Sequence, residues 1–262
     1  MSYLYELHLH TSQGSACGSS LGEEYPQIYK ALGYDGIFVT DHFFQGNCAA
    51  PRTGAWDKRV DAYMRGYENA REAGEKVGLK VFFGIEQNYN GDEYLLYGVD
   101  REFLLEHKYI ESYSRQELFK AVHEWGGCVI QAHPFRERGY ISRMHFELEG
   151  IDGVEAVNMG NRPSEDASAL KYAASNGLLT TCGSDIHSAR QAEDKFVCAT
   201  GLETPISSGR EFARYILERR PTRLNYPEGR LDGIRPQMPY TPYEISYAQE
   251  DLQRRTLEEM IK

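Results

Sequence analysis

The sequence predicts an α/β fold in which a parallel sheet closes into a barrel, and three observations carry that expectation. Short apolar runs alternate with segments of helical periodicity. Histidines and acidic residues recur just after those runs, where barrel enzymes keep their sites. A length of 262 residues suits one such domain.

Tyr3 to His10 reads as the first strand, with Glu6, His8 and His10 on one face and Tyr5, Leu7 and Leu9 on the other. Two imidazoles then project side by side. Such a pair suits a divalent cation, although two unrelated histidines on a half-buried strand remain the bland reading. A Ser- and Gly-rich loop, Thr11 to Ser20, leads into a helix over Leu21 to Leu32, closed by Gly33. Gly36 to Thr40 is the next strand and ends at Asp41-His42.

From Trp56 to Val77 the apolar spacing predicts one helix, and Leu79 to Gly84 a strand ending at Ile85-Glu86. A turn at Asn90-Gly91 introduces a strand over Tyr94 to Val99. The capping box Ser114-Arg-Gln-Glu117 opens a helix through Trp125. Cys128 to Ala132 is a strand stopping at His133-Pro134. Gly153 to Val157, Leu178 to Cys182 and Phe196 to Thr200 are three more, with a helix from about Ser164 to Ser175. Ser208-Gly-Arg-Glu211 and Thr241-Pro-Tyr-Glu244 are further capping boxes, each predicting a helix start. Residues 1–262 read as a single domain, with an irregular connection and a helix over about 221–262.

Acidic residues outnumber basic ones by 39 to 29, a formal charge of -10 that argues against extended nucleic acid as a partner. The N-terminal residues lack a basic, apolar leader pattern, and no segment approaches the roughly 20 apolar residues of a membrane span. A cytoplasmic protein without a membrane partner is expected. Five cysteines form no Cys-x-x-Cys pair, and an odd number fits reduced thiols.

The strand-end residues, in order, are His8 and His10, Asp41 and His42, Glu86, His133, then Asp185 and His187. In this pattern the chain resembles the PHP (polymerase and histidinol phosphatase) family of metal-dependent phosphoesterases. Its motifs match Glu6-Leu-His-Leu-His10-Thr11, Thr40-Asp41-His42, Ala132-His133-Pro134-Phe135 and Gly183-Ser184-Asp185-Ile186-His187, with Gly84-Ile85-Glu86 supplying the acidic position between the second and third. The resemblance covers Tyr3 to His187. It implies a distorted (β/α)7 barrel holding two or three divalent ions, Zn, Mn or Fe, at the C-terminal ends of the strands. It further implies that His8, His10, Glu86 and Asp185 hold one ion, that Glu86 bridges to a second shared with His133, and that His42 and His187 serve a third.

The sequence departs from the family in two places. Many members carry another His or Asp in the loop after the first motif, but Thr11 to Gly18 has neither; Cys17 is either a thiolate ligand or a buried thiol there. Where members often place a histidine on the strand after the bridging glutamate, this chain has Tyr94-Leu-Leu-Tyr97, with Glu93 the nearest substitute. Glu6 and Asp41 read as partners orienting the ligands rather than as ligands. Arg136 and Arg162, each close after a strand end, are either phosphate contacts or surface ion pairs. His107, His123 and His145 match no motif.

The implied reaction is hydrolysis of a small phosphate ester by a metal-bound hydroxide, with no side-chain nucleophile. Two alternatives stand beside it: an amidohydrolase-type metal-dependent cleavage of a C–N bond, and a metal-binding domain without turnover.

Overall fold

The computed structural model describes residues 2–248 and 254–262. Eleven strands are formed by the described residues: β1 (Tyr3–Glu6), β2 (Gly36–Val39), β3 (Lys80–Tyr89), β4 (Asp92–Tyr97), β5 (Cys128–Gln131), β6 (Met144–Glu147), β7 (Gly153–Asn158), β8 (Leu179–Gly183), β9 (Ala199–Leu202), β10 (Thr222–Asn225) and β11 (Tyr243–Ser246). The helices are α1 (Tyr25–Ala31), α2 (Trp56–Tyr63), α3 (Arg65–Val77), α4 (Arg101–Glu106), α5 (Arg115–Glu124), α6 (Pro163–Asn176), α7 (Ala189–Glu193), α8 (Gly209–Leu217) and α9 (Leu257–Ile261). Nine strands form one sheet in the order β10-β9-β1-β2-β3-β4-β5-β7-β8, and β6 pairs with β11 in a second, smaller sheet.

The large sheet curls until its ends meet. Thr200 Oγ1 on β9 accepts from Cys182 N on β8 at 2.8 Å and donates to Cys182 O at 2.9 Å, while Thr222 Oγ1 on β10 donates to Thr180 O at 2.6 Å. Hydroxyls rather than a full backbone ladder therefore seal this seam, which leaves the barrel nearly closed and distorted. Its interior is filled by Tyr5, Leu7, Phe38, Leu95, Tyr97, Ile130 and Phe212. Such apolar burial is the main favourable term in folding.

The barrel departs from an all-parallel sheet at two places. β4 runs antiparallel to both β3 and β5, and β9 runs antiparallel to β1. The first inversion comes from the expected turn, where Asn90 and Gly91 both take positive φ, 57° and 105°, as a two-residue hairpin requires. Because β4 is inverted, its first residues, and Glu93 with them, lie at the same rim as the last residues of the parallel strands.

Several elements differ from the sequence reading. The single helix expected over Trp56 to Val77 is two helices meeting at Met64. In the second of them Gly66 presses against the first loop, where a Cβ would lie 2.0 Å from Thr11 Oγ1. The strand placed at Phe196 begins at Ala199, Phe196 being exposed. The box Thr241-Pro-Tyr-Glu244 opens no helix. Its residues lead into β11, because Glu244 Oε1 is engaged by Arg143 at 2.7 Å and Pro242 O accepts from Met144 N, so pairing with β6 wins over capping. The C-terminal helix is instead α9, whose Leu257, Met260 and Ile261 pack with Ala169, Tyr172 and Ala173 of α6. β6, α4 and α7 were not anticipated, and neither was β10, which lies in the stretch read as an irregular connection and pairs with β9 from Thr222 to Asn225.

The seam makes a stability prediction. Thr200→Val keeps the shape but strands two buried backbone groups of Cys182, and should cost about 2–3 kcal/mol by denaturant unfolding, while Thr200→Ser should cost far less. Equal stability of the valine variant and the parent would show that the seam does not depend on this hydroxyl.

Candidate metal centre

Beyond their hydrogen-bonded ends, the chains after β1 and β8 stay side by side: Asp185 N donates to His8 O at 2.8 Å and His10 N to Ile186 O at 3.0 Å. The chain after β2 likewise pairs His42 with Glu86 on β3. These extensions carry the strand-end histidines to one rim. Only glycine permits the approach at Gly183, where a Cβ would stand 2.4 Å from His8 Cβ and 2.3 Å from Glu155 Oε1.

At the centre lies Glu86, fully buried. Its Oε1 is 3.1 Å from His8 Nε2 and 3.2 Å from His133 Nε2; its Oε2 is 2.7 Å from His42 Nδ1 and 3.4 Å from His10 Nε2. Asp185 Oδ1 is 3.1 Å from His10 Nε2 and 3.5 Å from His8 Nε2. Glu93 faces the other side, 3.4 Å from His133 Nε2 and 3.7 Å from His42 Nδ1. Four groups have ligand atoms all within 4.8 Å of one another: His8, Glu86 and His133; His8, His10 and Asp185; His42, Glu86 and Glu93; and His10, His42 and His187.

All seven expected metal-site residues are thus brought together: His8, His10, His42, Glu86, His133, Asp185 and His187. Glu93, named only as a substitute, joins them because its strand is inverted.

Neighbouring groups set the tautomers. Ser15 gives its hydroxyl proton to Asp41 Oδ1 at 2.7 Å, so at its 3.1 Å contact with His10 Nδ1 the ring must donate. The Nε2 lone pair of His10 then points into the cluster. His8 Nδ1 lies 2.9 Å from the buried carboxylate of Glu155, and His187 Nδ1 lies 3.0 Å from Asp185 O, fixing those rings in the same sense.

Asp41 also accepts from Thr11 N and Thr11 Oγ1, both at 2.7 Å, so it holds the loop and not an ion. Glu6 accepts from His8 N and Ser184 N at 3.0 and 2.8 Å and from the Tyr29 and Ser184 hydroxyls. It therefore orients the backbone on both sides of the site rather than a histidine ring.

Glu155 was missed in the sequence, although a charged residue inside the apolar run Gly153 to Val157 was a visible signal. Its other oxygen accepts from His133 N and from Asn158 Nδ2. Two site residues have positive φ, His133 at 27° and Asp185 at 53°. Each such conformation costs on the order of 1–3 kcal/mol and is held by the hydrogen bonds to Glu155 and His8.

The arginines part ways. Arg136 reaches Asp185 Oδ2 and Asn158 Oδ1, both at 2.7 Å, and Asn161 Oδ1 at 2.9 Å. It is first a clamp on Asp185. Arg162 is exposed at the start of α6, beside Phe135, Glu137 and Gln237, and does not reach the cluster. His107, His123 and His145 bond instead to Tyr113, Asp152 and Ser246. The cluster opens on a cavity of about 1080 Å³ whose walls include Gln45, Asn88, Arg115, Arg136, Tyr140 and Arg143.

Burial lowers the basicity of His8 and His42, but carboxylates overcome it and push both well above the usual histidine value: chiefly Glu155, Glu86 and Asp185 at His8, and chiefly Glu86 at His42. Burial, with His42 and His187 nearby, holds His10 well below that value. Burial favours the protonated form of Glu86, yet His8 and His42 outweigh it and keep the carboxyl well below its usual range. Burial raises Asp41 to about 6, against the donors that surround it. Burial alone would raise the Cys17 thiol, but its contacts with His187 and His42 bring it to about 6.

No protein-family model and no curated sequence matches the chain. Its fold, however, is that of solved barrels. It is similar to a two-domain protein from Bacteroides vulgatus described as containing a predicted PHP-like metal-dependent phosphoesterase, with a TM-score of 0.59 at 16% identity, covering 86% of this chain and 65% of that one. It is also similar to PsfC from Pseudomonas syringae, with a TM-score of 0.51 at 17% identity, covering 88% and 95%. The chain thus spans just under two thirds of the Bacteroides protein. The expected distorted α/β barrel is the fold observed, and it is shared with these two solved structures. Among the described residues no helix is long and apolar enough to cross a membrane.

Two predictions follow from this geometry. Glu155→Gln leaves one acceptor oxygen where His8, His133 N and Asn158 need two, and should weaken binding of divalent ions about 10- to 100-fold in chelator competition; unchanged affinity would remove Glu155 from its orienting role. Carboxylate neighbours hold His8 and His42 toward the protonated form in the absence of metal, and both rings must be neutral to bind one. Loading the protein in weak buffer should therefore release protons to an indicator dye, and affinity should rise from about pH 6 to about pH 8. Proton uptake, or affinity falling as pH rises, would contradict these charge states.

Proposed function

We propose that this chain is a metal-dependent phosphoesterase of the PHP family that hydrolyses a small phosphate ester. The observation that carries the reading is the state of three buried atoms, His8 Nε2, His42 Nδ1 and Glu86 Oε2. They lie close to groups of opposite character, yet none has the geometry of a hydrogen bond. Buried polar atoms seldom go unpaired, and donors that converge on a point without bonding one another suit a cation between them.

The residues fit two or three divalent ions. Imidazoles with carboxylates suit Zn, Mn or Fe. His8, His10, Glu86 and Asp185 would hold one ion, Glu86 and His133 with Glu93 a second, and His42 and His187 a third. When bound, such ions supply Lewis acidity and make water a usable nucleophile near neutral pH.

The chain's own residues do the positioning. Asp41 and Ser15 lock His10, Glu155 locks His8, and Arg136 steers Asp185. The polar cavity admits a small ester in front of the cluster. Arg136 on its wall offers positive charge toward a phosphoryl group, with Arg115 and Arg143 farther out, paired to Asp92 and Glu244. Arg162, away from this wall, is no longer favoured as a phosphate contact. A cytoplasmic location and a substrate other than extended nucleic acid accompany the reading, on charge and composition alone.

Incubation with a panel of phosphomonoesters and diesters should release phosphate or alcohol. Chelation should abolish the activity, and Mn, Zn or Fe should restore it. His8→Ala should lower metal content together with rate. A fully loaded protein inert across the panel, or His8→Ala with undiminished metal, would refute the assignment.

A further inference from the structure

The turn after β7 is gripped by two arginines that use different oxygens of the same two residues. Arg136 takes the side chains: its Nη2 donates to Asn158 Oδ1 at 2.7 Å and its Nε to Asn161 Oδ1 at 2.9 Å. Arg230 takes the backbone, its Nη2 donating to Asn158 O at 2.9 Å and to Asn161 O at 3.0 Å. Arg230 comes from the connection between β10 and β11, yet its side chain is only 10% exposed.

The Nε of Arg230 reaches Asp166 Oδ2 on α6 at 2.8 Å, and Asp166, fully buried, has no other ion-pair partner among the described residues. The second oxygen of Asp166 returns to the turn, accepting from Asn158 N at 3.2 Å and from Asn161 Nδ2 at 3.0 Å. An ionised carboxylate can only accept, so the nitrogen of the Asn161 amide must face Asp166, and its oxygen is left for Arg136. Burial pushes the Asp166 carboxyl up to about 6, and Arg230 is foremost among the groups that draw it down. Without that cation the buried acid would keep its proton, and the amide would lose the acceptor that fixes its sense.

The sense of that amide matters because Arg136 borders the metal centre. Three of its five N–H groups are committed, to Asn158, to Asn161 and, at 2.7 Å, to Asp185 Oδ2; one on each terminal nitrogen remains for a ligand in the cavity that Arg136 lines. We infer that Arg230 is a positioning residue for the phosphoryl site: through Asp166 and the turn from Asn158 to Asn161 it sets the plane of the Arg136 guanidinium. The inference rests on the phosphoesterase reading and deepens it, giving the connection after β10 a part in binding the substrate.

The test uses the full chain loaded with Zn, with inorganic phosphate as the probe in calorimetric titration. Arg230→Met should weaken phosphate binding about tenfold. In an Arg136→Met background the same substitution should change phosphate affinity hardly at all, because the group it acts through is gone; a merely structural loss would weaken binding equally in both backgrounds. Arg230→Lys keeps a charge beside Asp166 but lacks the fork that spans both carbonyls, and should recover part of the loss. A further readout is independent of phosphate: the Nε–H resonance of Arg136, recognised by its loss in Arg136→Lys, should exchange with solvent faster in Arg230→Met than in the parent. Equal weakening in the two backgrounds, or an Arg136 resonance indifferent to the substitution of Arg230, would overturn the inference. A parent that binds no phosphate while the resonance still responds would count against the phosphoesterase reading and leave the coupling of the two arginines standing. Should Arg230→Met fail to fold, the same comparisons made with Arg230→Lys decide.

Discussion

A single buried carboxylate governs the rim of this barrel. Glu86 has lost its water and gained four imidazoles, those of His8, His10, His42 and His133, all within 3.4 Å of its two oxygens. A carboxylate in that position costs several kcal/mol unless positive charge stands beside it. The raised basicity of His8 and His42 answers part of that requirement, and a divalent cation would answer several donors at once. Glu86 therefore draws His8 and His42 toward the protonated form.

The remaining polar groups are arranged so that the rings keep their lone pairs inward. Ser15 stands between Asp41 and His10, and its own proton is committed, which leaves the imidazole no choice of tautomer. Glu155 does the same for His8 while also holding the strained backbone at His133. Arg136 balances the far oxygen of Asp185. Ser15, Asp41 and Glu155 are as buried as the donors, so the contacts they make are shielded from solvent even where, as at Ser15, the residue belongs to a loop.

Much of this was legible in the sequence, because the parallel strands announce themselves as apolar runs and chemistry follows each one. His8, His10, His42, Glu86, His133, Asp185 and His187 could all be placed that way. Three things could not. Glu93, named only as a substitute, enters from the start of an inverted strand: the Asn90-Gly91 turn signals the hairpin, but only the barrel brings that strand's first residues to the rim. Glu155 lies within a strand, so a search of strand ends passes over it. The Thr241 box carries a helix signal that loses to strand pairing, since Glu244 is claimed by Arg143 and β6 offers a full partner edge. Local capping chemistry is weak against a tertiary ladder, and only the fold reveals that competition.

The position of β1 has a consequence for how the molecule is made. Its strand is flanked by β2 on one side and by β9, near residue 200, on the other, and the donors nearest its end are matched by Asp185 and His187. His8 and His10 are thus separated from Asp185 and His187 by some 175 residues of chain, and the two sets meet only when the chain beyond β8 has docked beside the extension of β1. Contacts so distant in sequence form only after a long loop has been closed. Completion of the donor set is therefore tied to closure of the barrel itself.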